Sequence, residues 1–330
     1  MTRLASLLID VAAMSGALAL ALSHKRSSPM ILMYHGISAR KCAPDGLRNY
    51  DGKQMSVTFF AKHLRMLHRS RRVISLSELV SGLEQRHDMS NTIAITFDDG
   101  YENNALVAAP VLADFNMPAA FFLTTGLIGS DACIWTDRLE IALDRTAARS
   151  LQFPGQADSL PLHSVDDKRR ALIKIKFLLK RKAWNRAEDM ADDITRRLGV
   201  AEIVSEEDYR FMHWDQARDL LRAGFEVGAH TVTHPILSHI PFDEAVLEIL
   251  DSKQKVLLET GQCCSTFCFP NGKRSDFSAE LIAICRHHFR AALSTERGTA
   301  SAEDLFELKR ISPAGPGKGE TLGWLLLRTR

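Results

Sequence analysis

The sequence predicts an α/β fold, a distorted (β/α) barrel of seven or eight parallel strands that carries a helical insertion. Three observations lead there. From Met30 onward, short apolar runs alternate with amphipathic stretches, as they do where helices pack outside a mostly parallel sheet. Such runs recur often enough for a closed or nearly closed barrel; an open doubly wound sheet is the structural rival. One interval, Ser130 to Met212, is too long for a barrel connection and largely helical in pattern, so it carries structure of its own.

In chain order the candidate strands are Met30–Tyr34, Val73–Ser75, Thr92–Phe97, Ala119–Thr124, Phe225–Ala229, Thr266–Phe269, Arg290–Leu293 and Leu308–Ile311. The helical patterns between them are Thr58–Arg69, Ser77–Gln85, Ala105–Phe115, Trp214–Ala223, Asp243–Thr260 and Ser278–His287. Inside the long interval, Asp166–Lys182 and Arg186–Leu198 carry the charged helical pattern, and Lys168 to Arg186 holds nine Lys or Arg and no acid. A solvated amphipathic face with Leu172, Ile175 and Leu179 inward explains that run. Contact with anionic lipid headgroups or an acidic glycan is the sharper reading.

Residues 1–29 read as an N-terminal apolar helix or a signal or anchor segment. Val11 to Leu22 has the length of a signal-peptide core. Asp10 interrupts the longer run from Leu4 to Leu22, which a bilayer span of about 20 apolar residues would need. Export, an uncleaved membrane-associated helix and a plain amphipathic first helix stay open here, and with them the compartment.

Composition narrows the field. The chain has 330 residues, of which 45% are hydrophobic, 25% charged and 7% aromatic, an ordinary globular mix with core-forming capacity. A formal net charge of +2 gives no reason to expect a nucleic-acid partner. The six cysteines lack paired CxxC spacing, which argues against a structural zinc knuckle and for small buried hydrophobes.

Two motifs carry chemistry. Thr96-Phe97-Asp98-Asp99-Gly100-Tyr101 ends an apolar strand in two carboxylates and a glycine turn. By itself Asp-Asp-Gly is an ordinary polar turn. Yet strand C-termini are where a parallel α/β fold gathers functional groups, and two adjacent ionised carboxylates call for a nearby cation. His230-Thr231-Val232-Thr233-His234-Pro235 follows a second apolar strand. A histidine pair is often structural. If the backbone coils, both imidazoles can serve one metal, and two histidines plus a carboxylate with open positions form a catalytic metal constellation.

Together with Phe267-Cys268-Phe269-Pro270-Asn271-Gly272, with MYHGI at Met33–Ile37 and with the Trp214 to His230 phrase, these motifs resemble the polysaccharide deacetylase family, the NodB-homology or carbohydrate esterase family 4 type. The resemblance covers Ile31 to Ile311, with the insertion outside the shared core. It implies a NodB-type barrel over residues 30–330, with the insertion at about 130–212. It also implies that Asp99, His230 and His234 hold a divalent metal, usually zinc (Zn2+), and that Asp98 is the general base. The backbone N–H of Asn271, beside Pro270, would stabilise the tetrahedral oxyanion.

The sequence departs from the family's pattern in two places. Cys268 stands where the family often has the arginine that orients the base, so control of Asp98 must come from elsewhere. The usual C-terminal Leu-x-x-His that supplies the acid is absent after Leu293. His35, at the end of the first strand, is assigned the acid role instead, as in the biofilm poly-N-acetylglucosamine deacetylase branch; a histidine that merely lines the barrel mouth is the plain alternative. Tyr101, Thr124, Pro270 and Trp214 are candidates for substrate contact, and Trp135 for stacking on a sugar; each has a packing explanation. His287 and His288 read as surface residues.

The reading is a metal-dependent hydrolase that removes N-acetyl groups from an N-acetylglucosamine-containing oligo- or polysaccharide. Chito-oligosaccharide and exopolysaccharide rank ahead of peptidoglycan as substrate. A glycan-binding pseudoenzyme and a metal amidase acting on a non-sugar amide are the rivals. The expected partner is the N-acetylated glycan, with membrane-surface association through the N-terminus or the basic insertion as a further expectation.

Overall fold

The computed structural model describes residues 27–40, 46–154, 159–200, 203, 208–313 and 322–328. The apolar N-terminal run up to Leu22 lies outside the described residues.

Strand β1 (Met30–Tyr34) is followed by a short parallel pair, β2 (Gly36–Ser38) and β3 (Gln54–Ser56), and by helix α1 (Val57–Ser70). Next come β4 (Arg72–Val73), α2 (Leu76–Glu84), β5 (Thr92–Phe97), α3 (Ala109–Asp114) and β6 (Ala120–Leu123). The long interval folds as α4 (Trp135–Arg145), an antiparallel hairpin of β7 (Ser150–Gln152) and β8 (Ser159–Pro161), then α5 (Val165–Leu179) and α6 (Trp184–Arg197). The chain returns through α7 (Trp214–Arg222), β9 (Glu226–Ala229), α8 (Phe242–Thr260), β10 (Thr266–Cys268), α9 (Ala279–His288), β11 (Ala291–Arg297), β12 (Leu308–Arg310) and α10 (Leu322–Arg328).

The main sheet runs β1-β5-β6-β9-β10-β11-β12, seven strands paired in parallel, with β4 against the start of β5. Its two ends meet: Met33 N–H donates to the Ile311 carbonyl at 2.9 Å and Ile311 N–H to the Ile31 carbonyl at 2.8 Å. The barrel is therefore nearly closed. Strands such as β5, buried at every position, read as continuous apolar runs because both faces are covered. Inside the main core Phe97 stacks on Phe121 with centroids 4.8 Å apart, and on Tyr34 at 5.5 Å.

Parallel pairing in this register (Tyr34 with Phe97, Phe97 with Phe121, Leu123 with Ala229) brings the ends of β1, β5, β6 and β9 to one rim. The residues that follow them, His35, Asp98, Thr124 and His230, stand together there. Functional groups of parallel barrels collect at this end.

Several elements differ from the sequence expectation. The helical pattern Ala105–Phe115 divides into a π-turn at Asn104–Ala108 and the short α3. Pro110 explains the wider turn, since it has no N–H to return to the preceding helical carbonyl. Strand β11 extends to Arg297, beyond the apolar stretch that marked it. Helix α4 and the β7–β8 hairpin add to the two helices expected in the insertion. Leu172, Ile175 and Leu179 are buried, so the apolar stripe of α5 does face inward. No helix of the described residues is long and apolar enough to cross a membrane.

Candidate active site and metal centre

The rim carries a cleft of about 500 Å3 lined by His35, Lys53, Asp98, Asp99, His230 and His234, together with Asn271, Trp135 and side chains of the insertion. Two loops build it. After β5 the chain turns at once through left-handed conformations at Asp99 (φ 73°) and Gly100 (φ 88°). A Cβ on Gly100 would sit 2.9 Å from Ile128, so glycine meets both the conformational and the steric demand there. The loop after β9 holds two more left-handed residues, Thr231 (φ 65°) and His234 (φ 64°). For a β-branched threonine that conformation is an outlier. Its hydroxyl offsets part of the strain by accepting from His234 N–H at 3.1 Å. Glu248 on α8 then fixes the loop, accepting from the N–H groups of Val232 (2.7 Å) and Thr233 (2.9 Å) and from the Thr233 hydroxyl (2.7 Å). Strain held by surrounding hydrogen bonds is typical of functional loops.

Asp99, His230 and His234 converge. Asp99 Oδ1 lies 3.5 Å from His230 Nε2 and 3.2 Å from His234 Nε2, and the three groups each present one ligand atom within 4.8 Å of the others. The donor chemistry fits a cation. His230 Nδ1 lies 2.7 Å from the Cys268 carbonyl and donates its proton there, which leaves the Nε2 lone pair facing a carboxylate. Two acceptors face each other stably only with a cation or a proton between them. Accordingly the His230 pKa rises well above the usual histidine range: burial opposes protonation, and the Cys268 and Asp99 contacts overcome it. Burial lowers the His234 pKa despite Asp99.

Asp99 Oδ2 is buried without a hydrogen-bond donor. The Lys53 ammonium is 3.0 Å away, off the line of a hydrogen bond, and also 3.2 Å from Asp137. Burial alone would raise the Asp99 pKa; Lys53 and the two imidazoles reverse this and hold it well below the carboxylate range. A second cluster, Asp98 with His230 and Cys268, is already committed. Its imidazole nitrogen serves the Cys268 carbonyl and its carboxylate serves an arginine.

That arginine is Arg310, at the end of β12. It is 1% exposed, and its guanidinium grips Asp98 with two parallel bonds, Nη1 to Oδ1 at 2.7 Å and Nη2 to Oδ2 at 2.6 Å. Further bonds to the Ser294 carbonyl (2.8 Å) and the Thr96 hydroxyl (3.1 Å) fix its plane. Burial would raise the Asp98 pKa, and Arg310 more than offsets it, so Asp98 stays ionised. Cys268 occupies the sequence position where an arginine was expected, and its sulfur touches Arg310 Nη2 at 2.9 Å. The control of Asp98 thus comes from a different strand.

His35 lines the cleft beside Asp98 and Asp99. Burial lowers its pKa, with the two carboxylates opposing. Asn271 is left-handed (φ 56°) and lines the same cleft. Its side chain is anchored on Asp276 at 2.5 Å and on Lys180 of the insertion at 2.6 Å, and its carbonyl accepts from Thr295 Oγ1 at 2.6 Å.

The four substrate-contact candidates stand apart from this cleft wall. Tyr101 is fully buried, with its hydroxyl on Asp137 at 2.5 Å and its ring stacked on Phe211. Thr124 is buried under the rim, its hydroxyl 3.5 Å from the His230 carbonyl. Pro270 is buried, and Trp214 packs at the start of α7 against the core. Trp135, by contrast, is in the cleft wall. His287 and His288 are exposed. Sequence reasoning missed Arg310 and Lys53. The Lys309-Arg310 pair inside the short strand Leu308–Ile311 was the available signal for the first, since alternation turns one of the two inward; Lys53, in a polar loop, gave none.

A family model described as polysaccharide deacetylase matches residues 85–166 and 174–287. The match runs through most of the 130–212 segment, which the sequence reading had set outside the resemblance. No curated protein matches the chain significantly. Among solved structures, the Streptococcus pyogenes deacetylase PplD in complex with acetate superposes with a TM-score of 0.59 at 18% identity, covering 93% of this chain and 100% of that one. IcaB from Ammonifex degensii gives 0.55 at 15% identity, over 86% of this chain and 91% of its own. A de-N-acetylase from Aggregatibacter actinomycetemcomitans gives 0.51 at 14% identity, with 89% and 97% covered. At these identities the likeness shows a shared fold.

Proposed function

The chain belongs to the polysaccharide deacetylase family, and from that premise we propose that it hydrolyses the N-acetyl group of an N-acetylglucosamine-containing glycan with a divalent metal, zinc in the first instance. The observation that carries this reading is the meeting of Asp99, His230 and His234 around one point, beside a separately clamped carboxylate, Asp98. The metal, when bound to those three residues, supplies Lewis acidity for the acetamide carbonyl and for water.

The chain's own groups do the rest. Asp98, ionised by Arg310, accepts the proton of the attacking water. The rigid guanidinium keeps the carboxylate aimed while leaving its cleft-facing lone pairs for that proton. The Asn271 N–H points the oxyanion role at a loop pinned by Asp276, Thr295 and Lys180, so little reorganisation is needed as charge develops. His35 donates the proton that the departing amine requires; burial disfavours its protonated form, and the charges of Asp99 and Asp98 beside it act in favour of that form. Products are acetate and a glucosamine unit. Chito-oligosaccharide and exopolysaccharide fit a cleft open along the rim.

The test is acetate release from N-acetylglucosamine oligomers by the metal-loaded protein. We expect turnover that falls by about 10²-fold or more in His35→Ala without loss of bound metal. A protein that binds metal and glycan yet releases no acetate from sugars or small amides is a pseudoenzyme, and the proposal fails.

A further inference from the structure

Helix α5 of the insertion lies along the mouth of the cleft, with Lys176, Phe177 and Lys180 in its wall. On its outer side Ile173, Lys174, Phe177 and, in the turn beyond, Arg181 are exposed. Their three- and four-residue spacing makes them one stripe. The guanidinium of Arg181 lies 5.1 Å from the Phe177 ring centroid, so cation and aromatic face form a single platform.

Most lysines near the catalytic groups are neutralised. Lys53 sits between Asp99 and Asp137, and Lys176 beside Asp51 and Glu140. Lys180 is different. Its ammonium donates to the neutral Asn271 side chain at 2.6 Å, and no carboxylate of the described residues lies within ion-pair distance of it. Lys180 is solvent-exposed as a residue; desolvation of its ammonium against the cleft wall, then the like charges of Lys176 and Lys53, lower its pKa, with Asp276 the opposing acid. The positive field therefore begins inside the cleft and continues outward along the stripe. From Lys174 to Arg181 it extends about 10 Å at helical rise, longer than a single sugar unit.

Resting on the deacetylase reading above, we propose that the substrate is an anionic glycan. Units flanking the reactive N-acetylhexosamine carry a carboxylate, which Lys180, Lys174 and Arg181 hold while Phe177 packs on a sugar face. A solvated charged face alone would not place Lys180 and Phe177 in the cleft wall. A membrane surface fits less well. Interfacial helices need a continuous apolar face, and that of α5 (Leu172, Ile175, Leu179) is consumed in the core.

The experiment measures binding by titration calorimetry on the full chain, independently of turnover. The probes are an oligosaccharide of alternating glucuronate and N-acetylglucosamine, a chito-oligosaccharide of equal length, and phosphatidylglycerol vesicles. We expect the acidic chain to bind about tenfold tighter than the neutral one, as two or three exposed charge contacts supply. That preference should shrink with salt, fall to about unity in Lys174→Gln/Lys180→Gln/Arg181→Gln, and survive in Lys180→Arg/Arg181→Lys. Equal affinities for both chains, or a preference the triple substitution leaves intact, would overturn the proposal. So would charge-dependent binding of vesicles without oligosaccharide preference. An intact preference with no acetate released from either chain would fail the deacetylase reading and support the anionic site.

Discussion

Replacing Arg310 by methionine removes the main counter-charge of the buried Asp98. The two groups are 1% and 2% exposed, and two bonds of 2.7 and 2.6 Å join them. At an effective dielectric of about 20, a charge pair ~4 Å apart is worth about 4 kcal/mol. Truncating one partner of such a pair costs about 3–5 kcal/mol, because the other charge is left in low dielectric. Arg310→Met should therefore lower the unfolding free energy by about 3–5 kcal/mol in urea denaturation. The companion Arg310→Met/Asp98→Asn should recover a good part of that loss, since it leaves no buried charge behind. Coupling in the resulting mutant cycle should reach about 2 kcal/mol. A single-variant cost below about 1 kcal/mol, or double-variant losses that simply add, would refute the buried-pair reasoning. Metal content should stay at the wild-type level, because Arg310 touches Asp98 and not Asp99.

Three further outcomes follow from the same geometry. Glu248→Ala frees the N–H groups that fix the His234 loop, and should weaken metal affinity by about 10- to 100-fold in a competitive chelator titration; unchanged affinity would mean the loop holds itself. Lys53→Met removes the cation beside Asp99 Oδ2 and should lower the stability of the metal-free protein more than that of the metal-loaded one, read as a larger metal-induced rise in melting temperature; equal rises would deny Lys53 that role. His63, buried on α1 with Nδ1 3.2 Å from the Tyr34 hydroxyl, has its pKa pushed down to about 4 by burial. The folded value lies below the unfolded one of about 6.5, so the unfolded chain takes up a proton that the native chain refuses. Stability then falls as pH drops from about 6.5 to about 4 and levels off below, a loss of about 3 kcal/mol. His63→Gln should flatten that segment of the stability profile, and an unaltered slope would contradict the assignment.

How much of this was legible in the sequence depends on what each residue needed from its neighbours. β1 and β5 were readable to the residue because two-sided burial writes an uninterrupted apolar run between polar punctuation. β11 was not, because its outer half, Thr295–Arg297, is polar and is held extended by pairing with β12 and by the Asn271–Gly272 loop. The candidate metal triad was readable as residue types at strand ends, whereas its geometry depends on left-handed turns at Asp99, Thr231 and His234, which a non-glycine sequence does not announce. Arg310 escaped because its partner lies more than two hundred positions away and only barrel closure brings them together. Lys180 and Asn271, 91 positions apart, are likewise joined only by the fold, across the insertion and the rim. Tyr101 looked like a cleft residue from its place after the Asp-Asp-Gly turn, yet that turn folds its ring inward against Phe211.

The measurement that bears most directly on the account is metal stoichiometry by elemental analysis after zinc loading and dialysis, taken on the native chain and on Asp99→Ala, His230→Ala and Asp98→Asn. The account expects about one ion per chain in the native protein and in Asp98→Asn, which should lose acetate release all the same, and almost none in the other two. Bound metal at the native level in Asp99→Ala or His230→Ala, or its loss in Asp98→Asn alone, would contradict the division of labour between the two adjacent aspartates.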